Sequence, residues 1–283
     1  MAIIKKNTIV KPSIGKEKES KFKLLIPNID LNMESKKTTV TFDDISWFIH
    51  GMYHVGKTSL FTQFKNSFII SFDAPNKTLD YNYRYANDYE TVLGIVNAII
   101  NRVKSHNDIK NVIFDNVRLY GKAVGVFTCK QLNLTHMGGN DMRGQDWAAN
   151  ETNMLIPIFE LIDNGITVHG ITHTKKDDVF TVEGKFYNVY MPNGGTQGNN
   201  VFCQQTYITG RYTFNTQGDR ILLIAGDNFV EAASKVKGHF LFSDGTPMRE
   251  IPLGRDEIEA YDNLVKAFEN GFTQTRKVFK KKV

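Results

Sequence analysis

The chain is short of cysteine, of long apolar runs and of internal punctuation. Only two cysteines occur, Cys129 and Cys203. They exclude a disulfide framework, and they form no paired-thiolate metal motif. A reducing setting, the cytoplasm, is expected. No apolar stretch approaches the roughly eighteen residues that a membrane span needs, so no membrane partner is expected. The opening MAIIKKNTIVKPSIGKEKESKFK lacks the unbroken apolar centre of a secretion signal. No internal repeat and no clear linker interrupts residues 41–272. What is there is ordinary for a globular protein. Of 283 residues, 41% are hydrophobic and 23% charged, enough to bury a sizeable core.

The net charge of +5 is unevenly spread. Residues 1–40 hold nine lysines against four acids, and QTRKVFKKKV at 274–283 holds five bases and no acid. The body between therefore carries −5. Lysine-rich ends read either as solvated tails or as arms that meet a polyanion such as nucleic acid. The expected organisation is a basic arm over 1–40, one domain over 41–272 and a basic tail over 273–283.

From residue 45 the pattern is α/β. SWFIHG, SFIISFD, KNVIFDN and ITVHGITH are short apolar runs of the kind a sheet covered on both faces produces. KTSLFTQF reads as a helix. So does NDYETVLGIVNAIINRVKSH, with a stripe at Val92, Ile95, Val96 and Ile99, and so does GQDWAANETNMLIPIFELIDNG, kinked at Pro157. The alternation predicts a mainly parallel central sheet flanked by helices. Beyond residue 175 the texture changes. VFTVEGKFYNVYM predicts a hairpin turning at Glu183-Gly184, and PNGGTQGNN a glycine- and asparagine-rich loop. QQTYITGRYTF and DRILLIAG read as edge strands. RDEIEAYDNLVKAFENG reads as a last helix with apolar Ile258, Tyr261, Leu264, Val265 and Phe268, stopped at Gly271.

One motif carries specific chemistry. Gly51, Met52, Tyr53, His54, Val55, Gly56, Lys57 and Thr58 fit G-x-x-x-x-G-K-[ST] without a mismatch, and Ser59 follows. Glycines let the backbone turn its N–H groups towards phosphates, and the helix behind presents its positive end. Lys57 would reach the β- and γ-phosphates of ATP, and the Thr58 hydroxyl would ligate Mg²⁺. A strand before and a helix after supply the context that a chance match lacks. Asp115 ends the apolar strand NVIFD, where open α/β sheets bind ligands, and reads as the second Mg²⁺-steering acid or else as a helix cap.

These motifs in this order resemble the RecA-like P-loop ATPases, closest to the phage Sak-type proteins of single-strand annealing and recombination. The resemblance covers roughly residues 45–250. In it FIISFDAPNKTLD is similar to the strand ending in an acidic cluster, with Asp73 as a catalytic candidate. HMGGNDMRGQDWAANETNM resembles the first DNA-binding loop and its helix, and VHGITHTKK the strand ending in a γ-phosphate sensor. MPNGGTQGNNVFCQQTYITGRY resembles the second DNA-binding loop. SKVKGHF resembles the paired-lysine segment that reaches a neighbouring subunit's nucleotide. The resemblance implies a sensor role for His173 and trans roles for Lys235 and Lys237 in a homo-oligomer, ring or filament. It implies single-stranded DNA as partner, met by Arg143, Trp147, Lys175, Lys176 and Lys185, with a single-strand-binding protein as a further partner. The aromatic residues of the hairpin also read simply as cross-strand pairs.

One departure stands out. RecA-like enzymes place a glutamate two residues after the strand-end aspartate, and here Asp73-Ala74-Pro75 puts proline there. Asp73 or Asp80 takes over the water, or hydrolysis is slow and the chain is a nucleotide-gated binding module. A small-molecule kinase would carry an arginine-rich lid, and no such cluster is present. The bulky spacers Met52 to Val55 are expected to restrict how a neighbour approaches the site.

Overall fold

The computed structural model describes residues 40–74, 78–139, 144–180 and 186–273. In chain order the elements are β1 (Trp47–Gly51), α1 (Lys57–Thr62), β2 (Ser67–Ser71), β3 (Tyr83–Tyr85), α2 (Tyr89–His106), β4 (Asn111–Asp115), α3 (Val117–Gln131) and α4 (Gln145–Asp163). They continue with β5 (Thr167–Phe180), β6 (Phe186–Pro192), α5 (Gly195–Gln205), β7 (Ile208–Phe214), β8 (Arg220–Leu223), β9 (Ala233–Ser234), β10 (Glu250–Gly254) and α6 (Glu257–Phe268).

The strands make one sheet in the order β10-β8-β7-β1-β5-β4-β2-β3, with β6 beside β5 and β9 beside β7. From β7 to β3 the pairs are parallel. The pairs β8–β7 and β10–β8 are antiparallel. Parallel strands need covering on both faces, and β1 is buried at all five positions. Alternate residues sort into two cores, as the two-residue period of a strand demands. Trp47, Ile49, Ile69, Ile113 and Ile171 pack with Leu60 and Phe61 of α1 and with Ala260 and Leu264 of α6. Phe48, Ile70, Val112 and Phe114 face the other way, towards α2, α3, α4 and α5. A buried histidine joins the first face. Burial pushes the His169 imidazole down to about 3, so it is neutral. Its Nδ1 accepts from the Trp47 N–H at 3.2 Å, so Nε2 carries the proton and donates to Asn111 Oδ1 at 2.9 Å.

Several expectations need correction. PNGGTQGNN is not a loop: Gly195–Gln205 is helical. Gly198, Val201 and Phe202 are buried against the sheet and its covering helices, and Asn199 ties the entry by accepting from Gly194 N and donating to Pro192 O, both 2.8 Å. Tertiary packing overrides weak local propensity there. QQTYITGRYTF and DRILLIAG do not form edge strands. β7 lies inside the sheet beside β1, β8 lies between β7 and β10, and β10 is the edge. In the last helix only part of the expectation changes: Leu264 and Phe268 are buried and Tyr261 packs against the core as the stripe predicts, but Ala260 and Ala267 are buried with them and Ile258 is exposed. Close approach to the sheet favours the small side chains. Helix α3, whose sequence contains Gly121 and Gly125, carries no expectation from periodicity, yet it spans fifteen residues.

Pro157 sits inside α4, as expected. Having no N–H, it leaves the Asn153 carbonyl four residues earlier without a partner. The Tyr89 hydroxyl donates to that carbonyl at 2.6 Å, and the Tyr120 hydroxyl donates to the next one, Met154 O, at 2.7 Å. The hairpin pairs Phe180 with Phe186. Its expected turn at Glu183-Gly184 lies outside the described residues, as do the arm, the tail, Pro75, Arg143 and Lys185.

Candidate functional site

The carboxyl ends of β1, β5, β4 and β2 open on a cleft of about 630 Å³. The loop between β1 and α1 forms its floor. Gly51 must be glycine, because a Cβ there would meet Tyr212 O at 2.5 Å. Gly56 has φ +96°, a conformation in which side chains are strained, and it caps α1. His54 is also left-handed, at φ 59°. Tyr53, His54, Gly56, Lys57, Thr58 and Ser59 line the cleft. Val55 is buried in the core beneath, and Met52 is exposed.

Lys57 is buried, and its ammonium donates to Gly51 O at 3.0 Å and Met52 O at 2.7 Å. Burial lowers its pKa to about 8, with Asp115 opposing. Thr58 Oγ1 donates to Asp115 Oδ2 at 2.7 Å. Burial lifts the Asp115 carboxyl above the usual range, while the Thr58 hydrogen bond and the Lys57 charge pull it back. Asp73 accepts from Asn116 Nδ2 at 2.5 Å, and Asn116 Oδ1 caps α3 through Leu119 N at 2.9 Å. One asparagine thus fixes both a helix start and a cleft carboxylate. The Asp115–Asn116 peptide is cis.

β5 pairs with β1 so that His173 is opposite Gly51. The His173 ring stacks on Tyr53 at 3.8 Å between centroids. Burial and the nearby Lys57 charge lower its pKa, and its Nδ1 is buried without a partner. The backbone continues the link, because Asn193 N donates to His173 O at 2.7 Å. Asn193 Oδ1 in turn accepts from Arg118 Nη1 at 2.6 Å.

Arg118 and Asn193 also line a second, larger cavity of about 1140 Å³ between α3, α4 and the start of α5. Its walls include Lys122, Lys130, His136 and Trp147. Arg118, Lys122, Val126 and Lys130 recur every four residues and so share one face of α3. Gln197 Nε2 donates to Trp147 O at 2.6 Å, tying α5 to the tryptophan.

The structure therefore brings the 51–59 loop, Asp73, Asp115 and His173 around one cleft. It leaves other expected residues outside. Lys235 caps α5, donating to Cys203 O, Gln204 O and Thr206 O at 2.8 Å each. Lys237 is exposed and does not line the cleft. Asp80 is exposed and is not among the cleft residues, although Leu79 and Tyr81 are. Of the residues expected at DNA, Trp147 lines the groove. Lys175 is 2.6 Å from Asp177 on β5, and Lys176 is exposed; neither lines the groove. Sequence reasoning missed Asn116, Arg118, Asn193 and Arg220. The first two directly follow Asp115 on the helix leaving the strand, a signal that was available. Asn193 and Arg220 reach the cleft only through sheet order.

The residues present fit a nucleotide with Mg²⁺. The cleft offers a buried cation, a glycine-bent loop before a helix, a hydroxyl–carboxylate pair, and unpartnered polar atoms on His173 and Arg220. No group of three or more His, Cys, Asp or Glu able to hold a metal alone occurs among the described residues. No helix among the described residues is long and apolar enough to cross a membrane. A search of curated proteins finds no match to the chain. A family model described as an AAA domain matches residues 43–235, well over half of the chain. With this cleft at the strand ends of a mostly parallel sheet, the chain belongs to that AAA domain family, a nucleotide-binding P-loop ATPase fold.

Proposed function

We propose that the protein is an ATPase that couples Mg²⁺-dependent ATP hydrolysis to single-stranded DNA in a homo-oligomer, acting in phage recombination or strand annealing. One observation supports it most: the nucleotide cleft and the α3–α4–α5 groove share the Arg118–Asn193 pair. The groove combines a basic helix face with a half-exposed tryptophan, the two elements that hold a single strand by charge and stacking.

Lys57 would leave the Gly51 and Met52 carbonyls for the β- and γ-phosphates. Thr58 and Asp115 would hold Mg²⁺, which supplies charge neutralisation at the phosphates when bound. His173, neutral at physiological pH, would donate its one N–H to a γ-phosphate oxygen and report its presence through Asn193 to α5. Asp73, oriented by Asn116, is the cleft carboxylate able to accept a proton from the attacking water. Lys235 and Lys237 would act on a neighbouring subunit. For Lys235 that role requires release of the α5 carbonyls.

A second reading is a nucleotide-gated binding module that hardly turns over. Pro75 in the glutamate position supports it, as does the engagement of Asp73 with Asn116. Steady-state phosphate release, with and without single-stranded DNA, separates the two. DNA-stimulated turnover that disappears in Lys57→Ala is expected. Tight ATP binding with no turnover under either condition would leave the module reading standing. Absence of any nucleotide binding would sink both.

A further inference from the structure

The cleft has a second charged end. Arg220 begins β8 and is paired with Phe214, the last residue of β7, so it stands on the same rim of the sheet as the 51–59 loop. Sheet order sets β7 and β8 on one side of β1, and β5, β4 and β2 on the other. Thr58, Asp115, Asp73 and His173 mark the terminal-phosphate side, towards β4. Arg220 lies on the opposite flank.

We propose that Arg220 is a nucleotide ligand supplied by the chain itself, donating to the α-phosphate at the nucleoside end of the cleft, with Glu257 as the residue that positions it. The inference rests on the cleft binding a nucleotide. A Cβ added at Gly56 would lie 3.4 Å from Arg220 Nε, 3.5 Å from Glu257 Oε1 and 3.7 Å from Tyr212 Oη, so these groups wall the phosphate loop directly. Arg220 Nη2 donates to Glu257 at 3.2 Å, and the arginine side chain is only 18% exposed. Its Nε is nonetheless buried with no acceptor, and so is the Tyr212 hydroxyl beside it. A guanidinium has five donors in a planar fork, and leaving one dry beside a phosphate cradle is costly. An α-phosphate oxygen is the acceptor that this position lacks. The Phe214 ring, 5.8 Å away, helps hold the fork in plane. Glu257 opens α6 behind it and stops the guanidinium from swinging into solvent.

Calorimetric titration of the full chain with ADP and with a non-hydrolysable ATP analogue tests this. Because the α-phosphate is common to both, Arg220→Ala is expected to weaken the two ligands by the same factor, about tenfold or more. Arg220→Lys, which keeps charge but loses the fork, is expected to weaken both by a smaller factor. Glu257→Gln, which removes the carboxylate that positions the guanidinium, is expected to weaken ADP and the ATP analogue by one common factor, smaller than that of Arg220→Ala, and wild-type affinity for both would remove the positioning role. If both Arg220 variants bind ADP as wild type does, the pair is only a strut and the inference falls. It also falls if only the ATP analogue is weakened, since Arg220 would then belong to the γ-phosphate. Should Arg220→Ala not fold, the lysine variant decides alone. Wild-type protein that binds neither ligand would instead overturn the nucleotide site itself.

Discussion

Lys57 shows how a buried charge waits for its ligand. Two backbone carbonyls hold its ammonium, and burial lowers its pKa from 10.5 to about 8. Phosphates favour the charged form, so binding raises that pKa again. Nucleotide affinity should therefore be flat below about pH 7.5 and fall by up to about tenfold per unit above pH 8. Proton uptake should appear in titrations at pH 8.5 run in buffers of different ionisation enthalpy. Constant affinity to pH 9.5 with no uptake would show an ordinary lysine. The sign for stability is the reverse of that for a stabilised cation. The folded pKa lies below the unfolded one, so Lys57 destabilises the ligand-free fold below pH 8, and that penalty is relieved as pH rises towards 10.5. The loop, Lys57 and Thr58 were readable in the sequence because their chemistry is fixed by local spacing. For Asn116 the cap on α3, three residues away, was within local reach, but its hold on Asp73, forty-three positions earlier, was not.

At the scale of elements, Gly170 decides how closely the central strand can be covered. It pairs with Phe48 of β1 on one side and Phe114 of β4 on the other. A Cβ would come within 2.4 Å of the Phe202 ring and 2.9 Å of Val117. Gly170→Ala is therefore expected to destabilise the protein by about 1–3 kcal/mol through overpacking, read as a lower urea midpoint at unchanged slope. An unchanged midpoint would mean that α5 shifts without cost. The same contact explains why α5 was misread as a loop. Its glycines and asparagines have weak helix propensity, and the helix forms because Phe202 and Val201 find a glycine-floored seat on the sheet. By contrast α2 was legible from its stripe: Val92, Val96 and Ile99 are all buried, and Asp88 caps it by accepting from Thr91 N at 2.7 Å.

At the scale of the whole molecule, the proposed trans roles stand or fall with assembly. The cleft exposes Tyr53, and Lys235 caps its own α5 rather than lying in the cleft. Residues contributed in trans would complete the phosphate site only in an oligomer. Particle mass measured by light scattering should rise on adding an ATP analogue, and further with single-stranded DNA. A strict monomer under all conditions would exclude the roles of Lys235 and Lys237 in a neighbour's site. The proposed complex with single-stranded DNA is expected to weaken as salt rises, because the bases that would meet it sit at the ends of the sequence and on one face of α3.

By itself the sequence determined the phosphate loop, the strand-end acids, and a parallel sheet with helices on both faces. Each is encoded within a few consecutive residues or in a regular period. Only the tertiary structure decided that β5 separates β1 from β4, that His173 stands opposite Gly51, and that Arg220 arrives from the far side of β7. Those neighbours are set by which strands pair, and pairing depends on packing across the whole sheet. No local spacing records it. The glycine-rich stretch before Val201 is the sharpest case: its own residues resist a helix, and the sheet beneath imposes one.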